Sequence, residues 1–199
     1  MVAAGYLFTA LADPEALRAA LAAAARRRGL LGTILVAAEG VNLSLHGTAS
    51  ALDDFEADLA AQGELRGLEL RRSDDFGMAP FRRLKVQLRR EIVTLGRGGD
   101  PLDHAGARRV PPQRWHEELE APEVRVVDLR NTYEVAAGSF PGALDPGTEG
   151  FREFPAWAEA RLPDRSAPVA MFCTGGIRCA KAAAWMRGQG WEDVRELDG

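Results

Sequence analysis

Apolar residues change their spacing repeatedly along the first third of the chain, and each change marks an element. Gly5–Ala10 reads as a strand, and Pro14–Arg28 as an alanine-rich helix with Asp13 as N-cap and Pro14 at its first position. Gly29 stands where a helix-ending glycine belongs. Thr33–Ala37 and Val41–His46 read as strands flanking a hairpin turn at Glu39-Gly40. Thr48 or Ser50 then caps a helix running to Ala60, with Leu52, Phe55 and Leu59 on one face, and Leu68–Arg72 reads as a short fourth strand.

The pattern then turns basic. From Arg82 to Leu95 the chain is strand-like: Leu84, Val86 and Leu88 alternate with Arg83, Lys85, Gln87 and Arg89. Gly96–Gly106 is glycine-rich and reads as a linker. Beyond Val110 the spacing changes to that of a parallel α/β unit: a short helix over Pro112–Leu119, a continuous apolar strand over Val124–Leu129, and a helix over Phe151–Arg161. A strand over Val169–Phe172, a helix over Ala180–Gly188 and a strand over Val194–Leu197 follow. The expected fold is therefore two-domain, α+β followed by α/β. A βαββαβ ferredoxin-like domain occupies 1–75, a basic connecting strand and linker 76–109, and a parallel α/β domain 110–199.

The 199 residues leave room for two small cores, and two cysteines close together form neither a disulfide framework nor a zinc site. No apolar run approaches membrane-spanning length, and the N-terminus lacks a signal-peptide layout. A reducing cytoplasm is the expected location, with no membrane contact and no stable protein partner. The net charge of -4 hides an asymmetry, because residues 66–115 hold 12 Lys and Arg against 6 Asp and Glu. A basic belt in an otherwise acidic chain fits either an anionic partner or a solvated strand face. Parity places Arg83, Lys85 and Arg89 on the outer face, while Arg82 and Arg90 share the parity of the apolar set and read as structural or strand-end residues.

The densest chemistry lies in Cys173-Thr-Gly-Gly-Ile-Arg-Cys179. A thiol at a strand end is followed by two glycines, an arginine and a helix start. Glycines let successive N–H groups converge on an anion, and the helix adds its positive end. The amides of Thr174, Gly175, Gly176, Ile177 and Arg178, with the Arg178 side chain, would hold a thiolate at Cys173. Cys179 is open to two readings, a resolving thiol or a packed residue of the first helical turn. Asp128 and Arg130, at the end of the preceding strand, read as braces for the loop.

Asp128-Leu-Arg-Asn-Thr-Tyr-Glu134, Gly138-Ser-Phe-Pro-Gly-Ala143 and the cysteine loop together resemble the rhodanese domain. Arg130-Asn-Thr-Tyr-Glu134, Phe151-Arg-Glu-Phe-Pro155, the cysteine loop, Pro80-Phe-Arg-Arg-Leu-Lys-Val86 and Glu91-Ile-Val-Thr94 are similar to the rhodanese-containing tRNA uridine hydroxylases. This resemblance implies oxygen-dependent 5-hydroxylation of the wobble uridine, with tRNA as partner, molecular oxygen as co-substrate, Cys173 as catalytic thiol and Glu134 among the loop braces. Arg82, Arg83, Lys85, Arg89 and Arg90 offer the phosphate contacts such a partner needs, and parity makes the outer three, Arg83, Lys85 and Arg89, the ones that should matter most. No flavin, nicotinamide or metal signature is evident, so no further cofactor is expected.

Three departures stand out. Val41-Asn-Leu-Ser44 replaces the family's Ile-Asn-Gly-Thr, Ala180 replaces a glutamate, and the sequence stops at Gly199 where members continue with Gly-Gly-Ile and a helix. The second domain is therefore expected to be truncated at its C-terminus. The same loop also suits a thiosulfate or persulfide sulfurtransferase, and the short end suits a non-enzymatic RNA-binding module.

Overall fold

Strand β1 (Val2–Phe8) leads into helix α1 (Pro14–Arg27). Asp13 Oδ1 accepts from Ala16 N at 2.9 Å and so satisfies one of the free N–H groups of the first turn. The computed structural model describes residues 1–74, 77, 80–97 and 108–198. The expected glycine linker lies outside the described residues from position 98 onward. No described helix is long and apolar enough to cross a membrane. The chain divides into two compact units, Met1–Ile92 and Val93–Gly199.

In the first unit β2 (Leu31–Ala37), β3 (Gly40–His46), α2 (Ala49–Ala60), β4 (Arg71–Ser73) and β5 (Leu84–Leu88) follow α1. Among the described residues the strands form one sheet in the order β4-β1-β3-β2-β5. β1 pairs antiparallel with β3 from Val2↔His46 to Phe8↔Gly40, which sets the first strand three residues earlier than its apolar run suggests. Gly40 sits at φ 139, and a Cβ there would come within 2.0 Å of Leu7 O, so only glycine passes this crossing. Thr48, not Ser50, caps α2: its Oγ1 accepts from Ala51 N at 3.2 Å. Leu52, Phe55 and Leu59 are buried against the sheet as their spacing requires.

The basic strand is the main difference. It is not a connector: β5 pairs in parallel with β2 from Gly32↔Leu84 to Val36↔Leu88 and forms the sheet edge. Ile92 N donates to Glu39 Oε1 at 2.7 Å, and Asn42 Nδ2 donates to Ile92 O at 3.1 Å. These bonds carry the unit on to Ile92, past the boundary expected at 75. The pairing is remote in sequence, so alternation reveals a strand there without revealing its neighbour. Leu84 and Val86 pack on the core, but Leu88 is half exposed at the strand's end.

The second unit holds β6 (Arg108–Val110), α3 (Trp115–Glu120), β7 (Arg125–Asp128), α4 (Thr132–Val135), α5 (Phe154–Arg161), β8 (Val169–Phe172), α6 (Ile177–Gly188) and β9 (Val194–Leu197). Its described strands run in parallel in the order β6-β9-β8-β7. The central strand β8 is buried on both faces. Val169 and Met171 join the apolar cluster of α5 and α6, while Ala170 and Phe172 join Trp115 on the opposite face. Residues following β8 therefore emerge at the carboxyl end of a central parallel strand, where open α/β sheets place their sites.

Candidate active site

Cys173 is the first residue beyond β8, half-buried against the α6 side of the sheet. Gly176 adopts the left-handed conformation, φ 81 and ψ -26, as N-cap of α6. That turn aims its N–H back at the strand, and Gly176 N donates to Cys173 Sγ at 3.2 Å. Helix α6 then presents its positive end to the same sulfur. The Cys173 thiol is pulled down to about 5 by the hydrogen bond from the Cys179 thiol, against the opposing pull of burial. The Cys179 and Gly175 amides and the Arg178 charge assist. A free cysteine titrates at about 8.5, so this one is a thiolate at neutral pH.

Arg178 is held by a fork. Its two terminal nitrogens donate to Glu134 Oε2 at 2.7 Å and Oε1 at 2.9 Å, and one also reaches Thr174 Oγ1 at 3.1 Å. The Thr174 hydroxyl in turn donates to Glu134 Oε1. Glu134 also accepts from Asn131 N at 3.0 Å, closing the start of α4. Hydrogen bonding from Arg178 outweighs burial and holds the Glu134 carboxyl at about 2, so the pair stays ionised. One carboxylate thus fixes both the loop's cation and its threonine.

Asp128 and Arg130 form a separate brace. Asp128 is fully buried at the end of β7. Its Oδ1 accepts from Arg130 Nε at 2.8 Å, and its Oδ2 accepts from a terminal Arg130 nitrogen at 2.6 Å and from Ser139 Oγ at 2.7 Å. Arg130 also donates to Gly138 O at 2.6 Å, and its guanidinium lies 5.5 Å from the Phe172 ring centre. These two residues pin the 138–139 segment and the strand end, and Glu134 is the residue that grips the cysteine loop. Among the loop amides, Gly176 bonds the sulfur directly, whereas Thr174 acts through its hydroxyl.

Two features escape a reading of the sequence. Helix α4 is only four residues long and carries no period, so Glu134 emerges there only through its motif. Glu196, on β9, is 5% exposed with its Oε2 buried and without a hydrogen-bond partner among the described residues. Strand parity could have found it, because Val194 and Glu196 share a face. Arg83, Lys85 and Arg89 belong to the other unit, on and beside β5, and all three are exposed. Arg82 and Arg90, expected as structural or strand-end residues, flank the strand and are equally exposed. Among the described residues no cluster of His, Cys, Asp and Glu is placed to hold a metal ion.

Residues 1–92 match the UPF0176 acylphosphatase-like domain and residues 111–199 the rhodanese-like domain. Over the whole of its length the chain is 48% identical to a Deinococcus radiodurans protein named tRNA uridine(34) hydroxylase, of which it covers 65%. It is likewise 48% identical to one from Mesorhizobium japonicum, covering 64%, and 44% identical to one from a Jannaschia species, covering 66%. The chain thus spans just under two thirds of the length of the curated relatives it matches.

Proposed function

We propose, from the relatives that the chain matches over its whole length and from the thiol site, that it belongs with the rhodanese-domain-containing tRNA uridine hydroxylases and takes part in oxygen-dependent 5-hydroxylation of the wobble uridine of tRNA. The observation that carries this reading is the thiolate at Cys173, cradled by the Gly176 amide and by Cys179, in a chain whose whole length matches just under two thirds of proteins of that name. Cys173 is the nucleophile. Gly176, Cys179 and Arg178 stabilise its negative charge, and Glu134 keeps Arg178 and Thr174 in place. Molecular oxygen is the co-substrate. The test is mass spectrometry of tRNA nucleosides from a deletion strain lacking any redundant enzyme. Loss of 5-hydroxyuridine-derived nucleosides, restored by the gene, is expected, and unchanged levels overturn the assignment.

A sulfurtransferase is the second reading, favoured by the amide-lined cysteine loop, which would hold a persulfide as readily as a thiolate. Robust thiocyanate formation from thiosulfate and cyanide, without tRNA binding, would reverse the order of the two.

Substrate binding is assigned to β5. Anticodon-loop RNA is recognised through its phosphates and splayed bases. Arg83, Lys85 and Arg89 supply exposed cations along a sheet edge. The same charges also blunt that edge against strand addition, a role needing no RNA. Salt dependence separates the two. Each phosphate neutralised contributes about 0.7 log units of affinity per tenfold change in salt on single strands, so reversing all three charges should flatten the slope by about 2. Alkylation of Cys173 should be unaffected in the same variant. Equal loss of tRNA binding and thiol reactivity would assign these charges to the fold.

A further inference from the structure

Cys179 is fully buried in the apolar cluster against which Cys173 packs, and its hydrogen bond leads the causes that make the Cys173 thiol acidic. It cannot act as a nucleophile in that state. Burial first, then the hydrogen bond to Cys173, then the charge on Cys173 push its thiol well above the ordinary range. The last two of these arise from the Cys173 thiolate. They vanish if Cys173 becomes a neutral adduct, so oxidation of Cys173 makes Cys179 easier to ionise, with burial still opposing it.

A proton acceptor for Cys179 stands on the adjacent strand. Glu196 is in register with Met171, two residues before Cys173. It shares the parity of Val194, which packs in the cluster that contains Cys179. Its Oε1 accepts from Arg109 Nε at 3.2 Å, while Oε2 is buried with no hydrogen-bond partner among the described residues. The groups that act on this carboxylate electrostatically are Arg109, Arg187, Cys173 and Cys179. A buried carboxylate oxygen left without a donor is costly, and apolar packing gives no reason to keep it.

We infer that Cys179 is the resolving thiol for an oxidised Cys173, and that Glu196 takes its proton. The steps balance with hydrogen peroxide as oxidant. The Cys173 thiolate attacks one peroxide oxygen, the O–O bond breaks, and the departing hydroxide is protonated to water by solvent. This leaves a sulfenic acid at Cys173. The Cys179 proton passes to Glu196 Oε2, its sulfur attacks Cys173 Sγ, and the S–O bond breaks. The hydroxide released recovers the proton from Glu196 and leaves as a second water. The product is a Cys173–Cys179 disulfide, which a two-electron thiol reductant reopens. The catalytic thiol is thereby kept from irreversible oxidation to sulfinic acid. The inference concerns the same thiol as the proposed reaction but does not depend on tRNA being the substrate.

Trypsin cuts after Arg178 and Lys181, so the two sulfurs fall on different peptides unless they are bonded. Treatment of the full chain with peroxide at pH 8, then alkylation and digestion, should give the cross-linked peptide pair in the wild type. Cys179→Ser keeps a donor to Cys173 but no sulfur, and should carry Cys173 on to sulfinic acid. Glu196→Gln should close the disulfide at least tenfold more slowly, with Cys173 alkylated at the wild-type rate at that pH. Wild-type Cys173 reaching sulfinic acid as fast as in Cys179→Ser, with no linked peptide, overturns the resolving role. Disulfide closure at an unchanged rate in Glu196→Gln overturns the assignment of the base. The wild-type measurement needs no variant to fold.

Discussion

Cys173→Ser is expected to lower 5-hydroxyuridine formation on tRNA by on the order of a thousandfold or more, because a serine hydroxyl at the same point is not ionised near neutral pH. The wild-type thiol should alkylate with a midpoint near pH 5 and reach its plateau before neutrality. Iodoacetamide labelling followed by mass spectrometry between pH 4 and 9 measures this directly. A midpoint near 8.5 would show an ordinary thiol and remove the basis of the mechanism. Stability must follow the same sign. Folding depresses this pKa, so the contribution is fully present above the unfolded thiol's value of about 8.5. It is lost progressively as pH falls toward and through about 5. Cys173→Ser should lack that component, so its unfolding free energy should gain less than the wild type's between pH 5 and 8.

The cysteine loop could be read from the sequence because its chemistry is local. Two glycines, an arginine and a helix start within seven positions leave few backbone paths, and the one adopted needs Gly176 at positive φ. The two domain patterns were legible for the same reason: Asp13, Pro14 and Gly29 bound α1, and Leu52, Phe55 and Leu59 mark the buried face of α2. Contacts made across long sequence separations were not. β5 reads as a strand, but its pairing with β2 depends on the whole sheet, so alternation alone leaves it reading as a connector. β6 and α4 are too short to show a period. Glu196 breaks the rule that charged residues face outward, and it stands among Arg109, Arg187 and the two cysteines. Such breaks of pattern cluster at working sites, where local rules yield to chemistry.

Arg178→Ala tests how the loop holds its shape. The wild-type guanidinium makes two bonds to Glu134 and one to Thr174, and both ion-pair side chains are mostly buried, at 13% and 16% exposed. Removing the cation leaves a carboxylate without its partner, at a cost on the order of 2 kcal/mol, below that of a fully buried pair because some solvent reaches the site. Chemical unfolding at pH 7 should show this loss. Acid titration should show its origin. Glu134 is depressed to about 2 in the fold, so its contribution is complete above the ordinary carboxylate range and fades as pH falls from there through about 2. In Arg178→Ala that fading should be much reduced. The Cys173 midpoint should rise, but by less than in Cys179→Ala, because the Cys179 hydrogen bond leads the causes of the thiol's acidity and the Arg178 charge ranks behind it. Arg178→Lys separates charge from shape: a point charge restores part of the thiol's acidity, while the lost fork leaves most of the stability deficit in place. An Arg178→Ala protein with wild-type stability and an unmoved midpoint would show that the helix end, the loop amides and Cys179 suffice. Glu134 would then act on the loop through Thr174 rather than through the ion pair.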